Sequence, residues 1–319
     1  MNKIGVLTSG EDAPGMNAAI RAVVRSGLYY GKEMVGIKYG FEGAINGNIQ
    51  EMDAGTVGSI LQRGGTILQS RLCEEISTDD GQRKAIETLK KSGIDALVII
   101  GGREALQTAR ELANKDFPCI GIPATIDNDI PCIDDSIGFD TALNTVIDYI
   151  DRIRDTASSH EKTSIIEVMG KDTGALALWS GLAGGAENIL IPEKKEDAED
   201  IVEHVKSGGG RTKRYSIIVV AEGIGRGTDF STKLKEEAGI DSRVIVLGHT
   251  QRGGAPTARD RALASRLGAY AIDLLLNNES GKLAGFHNNQ LVNYNLAEVF
   301  TQKPRIEESM YHLSRRLSL

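Results

Sequence analysis

The chain has 319 residues, with 37 basic and 44 acidic side chains and a net charge of −7. That length suits two ordinary domains or one large sheet protein, and the negative balance argues against nucleic acid as a general partner. No apolar run approaches the roughly 18 residues of a membrane span, so no membrane partner is expected. The start, Met1-Asn2-Lys3, is not a targeting segment. Cys73, Cys119 and Cys132 lack metal-ligand spacing, and an odd count without a signal peptide points to reduced thiols in the cytoplasm.

Ile4–Thr8 is a strand-like run that enters Ser9-Gly10-Glu11-Asp12-Ala13-Pro14-Gly15-Met16-Asn17. Ala18–Tyr30 has helical periodicity, with Ile20, Val23, Val24 and Leu28 on one face and Arg21 and Arg25 on another. Strand, glycine-bearing loop and helix together present backbone N–H groups to an anion. Met34–Ile37 reads as a strand and Gly64-Gly65-Thr66 as a tight connection. Thr78 caps a helix running to Lys91 and closed by Gly93. Ala96–Ile100 is a strongly apolar strand, followed by Gly101-Gly102-Arg103-Glu104-Ala105 and a helix to about Lys115.

Cys119–Ile122 is a short buried strand ended by proline. The stretch after it, Pro123-Ala124-Thr125-Ile126-Asp127-Asn128-Asp129, places two carboxylates at the carboxyl end of a predicted parallel strand, where open α/β sheets hold ligands. A carboxylate there can take a proton from a substrate hydroxyl or hold a metal. A polar turn capping the next helix satisfies the same spacing.

Phe139–Thr156 is a long helix, and Ser164–Val168 is a strand leading into Met169-Gly170-Lys171-Asp172-Thr173-Gly174. Ile189–Ile191, Ser216–Ala221 and Val244–Leu247 are further strands. Pro256–Leu276 is helical, with proline near its start. Ser207–Arg211 and Asn277–Gly281 read as surface loops. This β/α alternation at short spacing predicts a parallel, doubly wound sheet.

Thr125-Ile126-Asp127-Asn128-Asp129, Pro14-Gly15-Met16-Asn17-Ala18-Ala19, Gly138-Phe139-Asp140-Thr141-Ala142 and Leu247-Gly248-His249-Thr250-Gln251-Arg252-Gly253-Gly254 together resemble the bacterial ATP-dependent 6-phosphofructokinase family. The resemblance covers essentially the whole chain. It implies a tetramer of α/β subunits, each with two doubly wound domains and largely parallel sheets. Residues 1–138 with 251–301 would form the ATP-binding-type domain, and 139–250 with 302–319 the sugar-phosphate-binding domain.

By the same resemblance, Asp127 matches the base that deprotonates the sugar 1-hydroxyl for in-line attack on the γ-phosphate of MgATP. Asp129 matches a carboxylate associated with the metal, and Thr125 a residue near the transferring phosphoryl. Met169, Glu222, Arg243, His249 and Arg252 match the fructose 6-phosphate site. There Glu222 binds sugar hydroxyls, while His249 and Arg252, with Arg243 from a neighbouring subunit, hold the 6-phosphate. Arg21, Arg25, Arg154, Gly185, Glu187, Arg211 and Lys213 match an intersubunit effector site for ADP or phosphoenolpyruvate.

The nucleotide side departs from the family pattern at several positions. Glu11 replaces a glycine that closes on the phosphates; a carboxylate within ~4 Å of a phosphate charge costs about 4 kcal/mol at an effective dielectric near 20, unless it turns away. Arg103 replaces the magnesium-associated aspartate, Glu104 a second close-approach glycine, Ala105 a hydroxyl and Thr108 another glycine. Leu72, beside Cys73 on the nucleotide side, replaces an arginine on the transferring phosphoryl; Arg71 substitutes for it only if the backbone turns differently. Lys162 and Lys171 keep the charge of family arginines but lose the planar fork. Ion pairs of Arg103 with Glu104 or Glu11 in a filled cleft account for the departures more simply than a rebuilt ATP site.

The leading expectation is therefore a phosphofructokinase homologue with a degraded ATP–magnesium site. Such a chain is an impaired or inactive paralogue that retains sugar-phosphate and effector binding. It serves a regulatory or sensing role as a homotetramer or with an active phosphofructokinase. The alternative is a working ATP-dependent 6-phosphofructokinase that converts fructose 6-phosphate to fructose 1,6-bisphosphate in glycolysis.

Overall fold

A computed structural model describes residues 1–208, 215–303 and 306–318. In chain order the elements begin β1 (Lys3–Ser9), α1 (Met16–Tyr29), β2 (Glu33–Ile37), α2 (Gly40–Asn46), β3 (Ile49–Glu51), α3 (Asp79–Lys91), β4 (Ala96–Gly101), α4 (Arg103–Ala113) and β5 (Cys119–Pro123). They continue with α5 (Phe139–His160), β6 (Thr163–Val168), α6 (Ala175–Ala183), β7 (Asn188–Leu190), α7 (Lys195–Glu199), α8 (Ile201–Gly208), β8 (Ile217–Ala221), α9 (Gly227–Ala238) and β9 (Ser242–Val246). The last are α10 (Ala258–Leu276), β10 (Lys282–His287), β11 (Gln290–Asn295), α11 (Leu296–Val299) and α12 (Glu308–Leu317).

The chain forms two compact units. The first comprises Met1–Ile126, Ile130–Thr141 and Arg252–Lys303. Its seven-stranded sheet runs β11-β10-β5-β4-β1-β2-β3. The β1, β4, β5 and β10 neighbours pair in parallel, as do β1 and β2, whereas β2–β3 and β10–β11 are antiparallel. The central strands β1, β4 and β5 are buried almost throughout, which explains why they read as continuous apolar runs rather than alternating ones. Helices α1 and α10 pack so closely that a Cβ on Gly268 would stand 2.6 Å from Ala22 Cβ. Thr78 caps α3 as predicted, its hydroxyl accepting from Gly81 N–H at 3.0 Å.

The second unit comprises Asp127–Asp129, Ala142–Gln251 and the C-terminal stretch that carries α12. Its four strands run β7-β8-β6-β9, all parallel. Ile165, Leu190, Ile218 and Val220 form the core of this unit with Phe230 and Leu234 from α9. No helix among the described residues is long and apolar enough to cross a membrane.

Several elements differ from the sequence reading. Helix α5 runs on to His160, and α10 begins at Ala258 with Thr257 as its cap. Ser207 and Gly208 end α8 rather than opening a surface loop; the rest of that predicted loop lies outside the described residues. The β10–β11 hairpin was not foreseen, although its turn, Asn288-Asn289, takes positive φ at both residues (49° and 63°), as a two-residue hairpin turn requires.

Candidate active site

In the first sheet the chain moves outward from β1 through β2 to β3, then returns to β4 and moves out the other way through β5. Ligands of open α/β sheets sit beyond the carboxyl ends of the strands at such a reversal. A cleft of about 580 Å³ opens there. Ser9 at the end of β1 and Gly10 after it, Glu104, Ala105 and Thr108 in α4, and Leu72 and Cys73 all line it. The two strand ends meet tightly, since a Cβ on Gly101 would stand 2.4 Å from the Ser9 carbonyl oxygen. Helix α4 starts at Gly102 without a side-chain cap, so Glu104 in its first turn places a carboxylate at the positive end of the helix dipole.

The cleft is open. Glu11 turns away from it and pairs with the Arg252 guanidinium. Arg103 sets its guanidinium 5.8 Å over the ring of Phe300. Arg71 is bound to Glu42 at 2.9 Å and lies 4.2 Å over the Tyr39 ring, while Leu72 is 75% exposed. Ser77, Gln82 and Arg110 also line the cleft. No motif marks them: Ser77 ends the 3-10 turn Glu75–Ser77, Gln82 lies on α3 and Arg110 on α4.

The loop after β5 stands at the carboxyl end of a buried parallel strand, as predicted. Gly101 O accepts from Ala124 N–H at 3.0 Å, and Ser136 Oγ donates to Thr125 O at 2.7 Å. Asn128 takes the left-handed conformation with φ 50°, which turns the chain between the two aspartates. Thr125 and Asp127 are half-buried and Asp129 is buried. Among the described residues no group of three or more His, Cys, Asp or Glu side chains is placed to hold a metal ion. Asp127 and Asp129 are the carboxylates of this loop that could meet a magnesium ion carried on a nucleotide.

In the second unit, Met169 follows β6, Glu222 follows β8 and His249 follows β9. These three strands are adjacent and parallel, so the residues gather at one end of the sheet. The Gln251 side chain ties two of the loops together by accepting from Met169 N–H at 3.2 Å. His249 and Arg252 share the 3-10 turn Gly248–Arg252.

Arg243 and Lys162 lie at the other end of that sheet. Arg243 pairs in register with Ser164, roughly 16 Å along the strand from Met169 at ~3.3 Å per residue. Lys162, just before β6, is bound to Asp241 at 2.8 Å, and its ammonium holds that carboxyl below the ordinary 3.8.

The predicted effector residues are spread over separate elements. Arg21 and Arg25 lie on α1, with Arg25 Nη2 3.4 Å from Ala54 O. Arg154 on α5 donates to Gly184 O and Gly185 O at 2.5 and 2.6 Å and lies 3.7 Å from Glu187. Glu187 in turn accepts from Ile217 N–H at 2.7 Å. Arg211 and Lys213 lie outside the described residues.

Glycine loops at a sheet reversal and an aspartate-bearing loop after a buried parallel strand stand where open α/β sheets hold their ligands. The phosphofructokinase family profile matches residues 3–275, and the chain belongs to the phosphofructokinase family. The ATP-dependent 6-phosphofructokinases of Oceanobacillus iheyensis, Bacillus licheniformis and Bacillus subtilis are 57%, 55% and 54% identical to it, each over 319 residues and 100% of both chains. A solved phosphofructokinase from Saccharomyces cerevisiae matches with a TM-score of 0.87 at 31% identity over 100% of this chain. One from Pichia pastoris, in the T-state, matches with a TM-score of 0.88 at 32% identity over 99%. The chain spans 48% and 37% of the lengths of those two fungal chains.

Proposed function

We propose that the chain catalyses ATP-dependent phosphorylation of fructose 6-phosphate to fructose 1,6-bisphosphate, the glycolytic reaction. The observation that carries this reading is the open cleft of about 580 Å³ at the β1–β4 reversal, in a chain that keeps the whole Thr125-Ile126-Asp127-Asn128-Asp129 loop. Full-length similarity to ATP-dependent 6-phosphofructokinases also favours it. The order of the two expectations drawn from sequence is thereby reversed. The departures leave the cleft open, and Glu11 is turned out of it.

In this reading Asp127 takes the proton of the sugar 1-hydroxyl, and Thr125 and Asp129 position the reacting groups. Glu222 and Met169 hold the sugar, and His249 and Arg252 its phosphate. The metal of MgATP neutralises charge on the phosphates. Arg243 and Lys162 serve the site of a second copy, since they lie at the far end of their own sheet; this favours a homotetramer. ADP or phosphoenolpyruvate is the effector, taken by Arg21, Arg25, Arg154, Gly185 and Glu187 with Arg211 and Lys213.

Glu104 at the start of α4 favours a second reading. A fixed carboxylate there competes with a nucleotide phosphate for the helix end, so turnover is low and the chain regulates an active partner. The isolated protein should be assayed with fructose 6-phosphate and MgATP. A kcat of ~1–100 per second, lost by about a hundredfold or more in Asp127→Asn, supports the working kinase. A rate equal to that of Asp127→Asn rejects it.

A further inference from the structure

Arg252 is 13% exposed at its side chain, whereas its partner Glu11 is 64% exposed. A buried guanidinium needs an anion, because desolvation without one is costly. Glu11 supplies that anion from the loop after β1, reaching in from solvent. The pairing uses one terminal nitrogen of Arg252. Its Nε is buried and, among the described residues, has no hydrogen-bond partner. The guanidinium fork is therefore only partly used, with one donor aimed at nothing.

A phosphate monoester suits this arginine better than Glu11 does. It carries more negative charge, and it offers several acceptor oxygens in the spacing of the guanidinium fork. Glu11 is already largely solvated, so releasing it to water costs little. Gly10, immediately before it, has φ 84° and open space around its α-carbon, with no atom within 4 Å of a Cβ built there. The Gly10 carbonyl oxygen accepts from the Ser70 hydroxyl at 2.5 Å, so release of Glu11 is a side-chain movement on a held backbone.

We infer that Glu11 is a specificity-determining residue, an internal carboxylate that occupies Arg252 until a sugar phosphate displaces it. It sets a threshold that the phosphate-bearing substrate must overcome, and it acts on that substrate rather than on the nucleotide. This inference rests on the proposed role of Arg252 as a ligand of the sugar phosphate.

The test is calorimetric binding of fructose 6-phosphate to wild type, Glu11→Gln, Arg252→Gln and the double variant, without nucleotide. Glu11→Gln should bind roughly tenfold more tightly than wild type, equivalent to about 1.4 kcal/mol, because the competing charge is gone. Arg252→Gln should weaken binding, and the gain from Glu11→Gln should vanish in its background. Unchanged or weaker binding in Glu11→Gln overturns the inference while leaving the phosphate role of Arg252 in place. Unchanged binding in Arg252→Gln overturns that role and the inference with it; turnover with MgATP, measured separately, still judges the kinase. Should Arg252→Gln fail to fold, Glu11→Gln on its exposed loop decides the matter. Repeating the titration with inorganic phosphate should show the same order of affinities.

Discussion

Gly138 donates its backbone N–H to the carboxylate of Asp260 at 2.9 Å, joining residues 122 positions apart in the chain. The same carboxylate accepts from Thr141 N–H at 2.8 Å and from the Thr141 hydroxyl. Gly138 has φ 102°, and a Cβ on it would stand 2.7 Å from Ala13 Cβ. The segment that begins with the aspartate loop is thus fixed at its far end to the first turn of α10. Asp260→Ala orphans these buried donors and should cost about 3 kcal/mol, at ~1–3 kcal/mol for each group left unsatisfied. A urea midpoint close to that of wild type would contradict this.

Asp260 also imposes a pH dependence. Burial pushes its carboxyl above the ordinary 3.8, and the hydrogen bonds from Thr141 and Gly138 oppose that shift only in part. With the folded value above the unfolded one, the contribution to stability is full below 3.8 and is lost as pH rises through the folded value. Over that window wild type should lose stability relative to Asp260→Asn, which does not titrate there. The observable is the difference between the two urea midpoints, followed upward from about pH 4. A constant difference would exclude the effect.

Glu104 should trade stability against nucleotide affinity. Its carboxylate complements the start of α4, so Glu104→Gly should cost about 1–2 kcal/mol from the lost dipole interaction and the glycine in the helix. MgATP should bind about fivefold more tightly once the charge leaves the cleft, a change of ~1 kcal/mol. Calorimetry with MgATP and urea unfolding on the same variant check both halves.

Leu72→Arg should lower KM for MgATP, because the new cation is added on the cleft wall. Arg71→Ala should leave KM unchanged, since Arg71 is committed to Glu42 and Tyr39; its loss should cost about 1 kcal/mol or less, as for an exposed ion pair. A KM for MgATP raised by Arg71→Ala would show that Arg71 reaches the nucleotide after all.

Millimolar phosphoenolpyruvate or ADP should raise the thermal midpoint of wild type, by the stabilisation that any ligand of the native state confers. Arg154→Ala should abolish that shift. It should also lower the ligand-free midpoint, because Arg154 holds the Gly184 and Gly185 carbonyl oxygens. No shift in wild type with either ligand would reject the effector site.

The framework of both sheets could be read from local pattern. β4 and β5 are apolar runs between turn residues, and the Thr78 cap fixes the start of α3 within a single turn. The position of the aspartate loop at a strand end followed from the same logic. The Glu11–Arg252 pair did not, because these residues are far apart in the chain and nothing in either neighbourhood selects the other. The contact of Arg103 was equally illegible: its guanidinium lies 5.8 Å from the ring of Phe300, which follows α11 and is distant in the chain. Local pattern places Glu11 on a loop and Arg103 at a helix start, and only the fold supplies their contacts with Arg252 and Phe300.

Lys162 and Arg243 lie at the opposite end of their sheet from Met169, Glu222 and His249. In the proposed assembly each chain therefore lends cations to a pocket it does not own. An inherited lesion at Arg243 would spare the carrier's own pocket and injure its neighbour's, whereas a lesion at Glu222 would do the reverse. Two such defective alleles in one cell could assemble a mixed particle with some pockets whole. The unit on which selection acts for this reaction would then be the pair of copies rather than the single gene product.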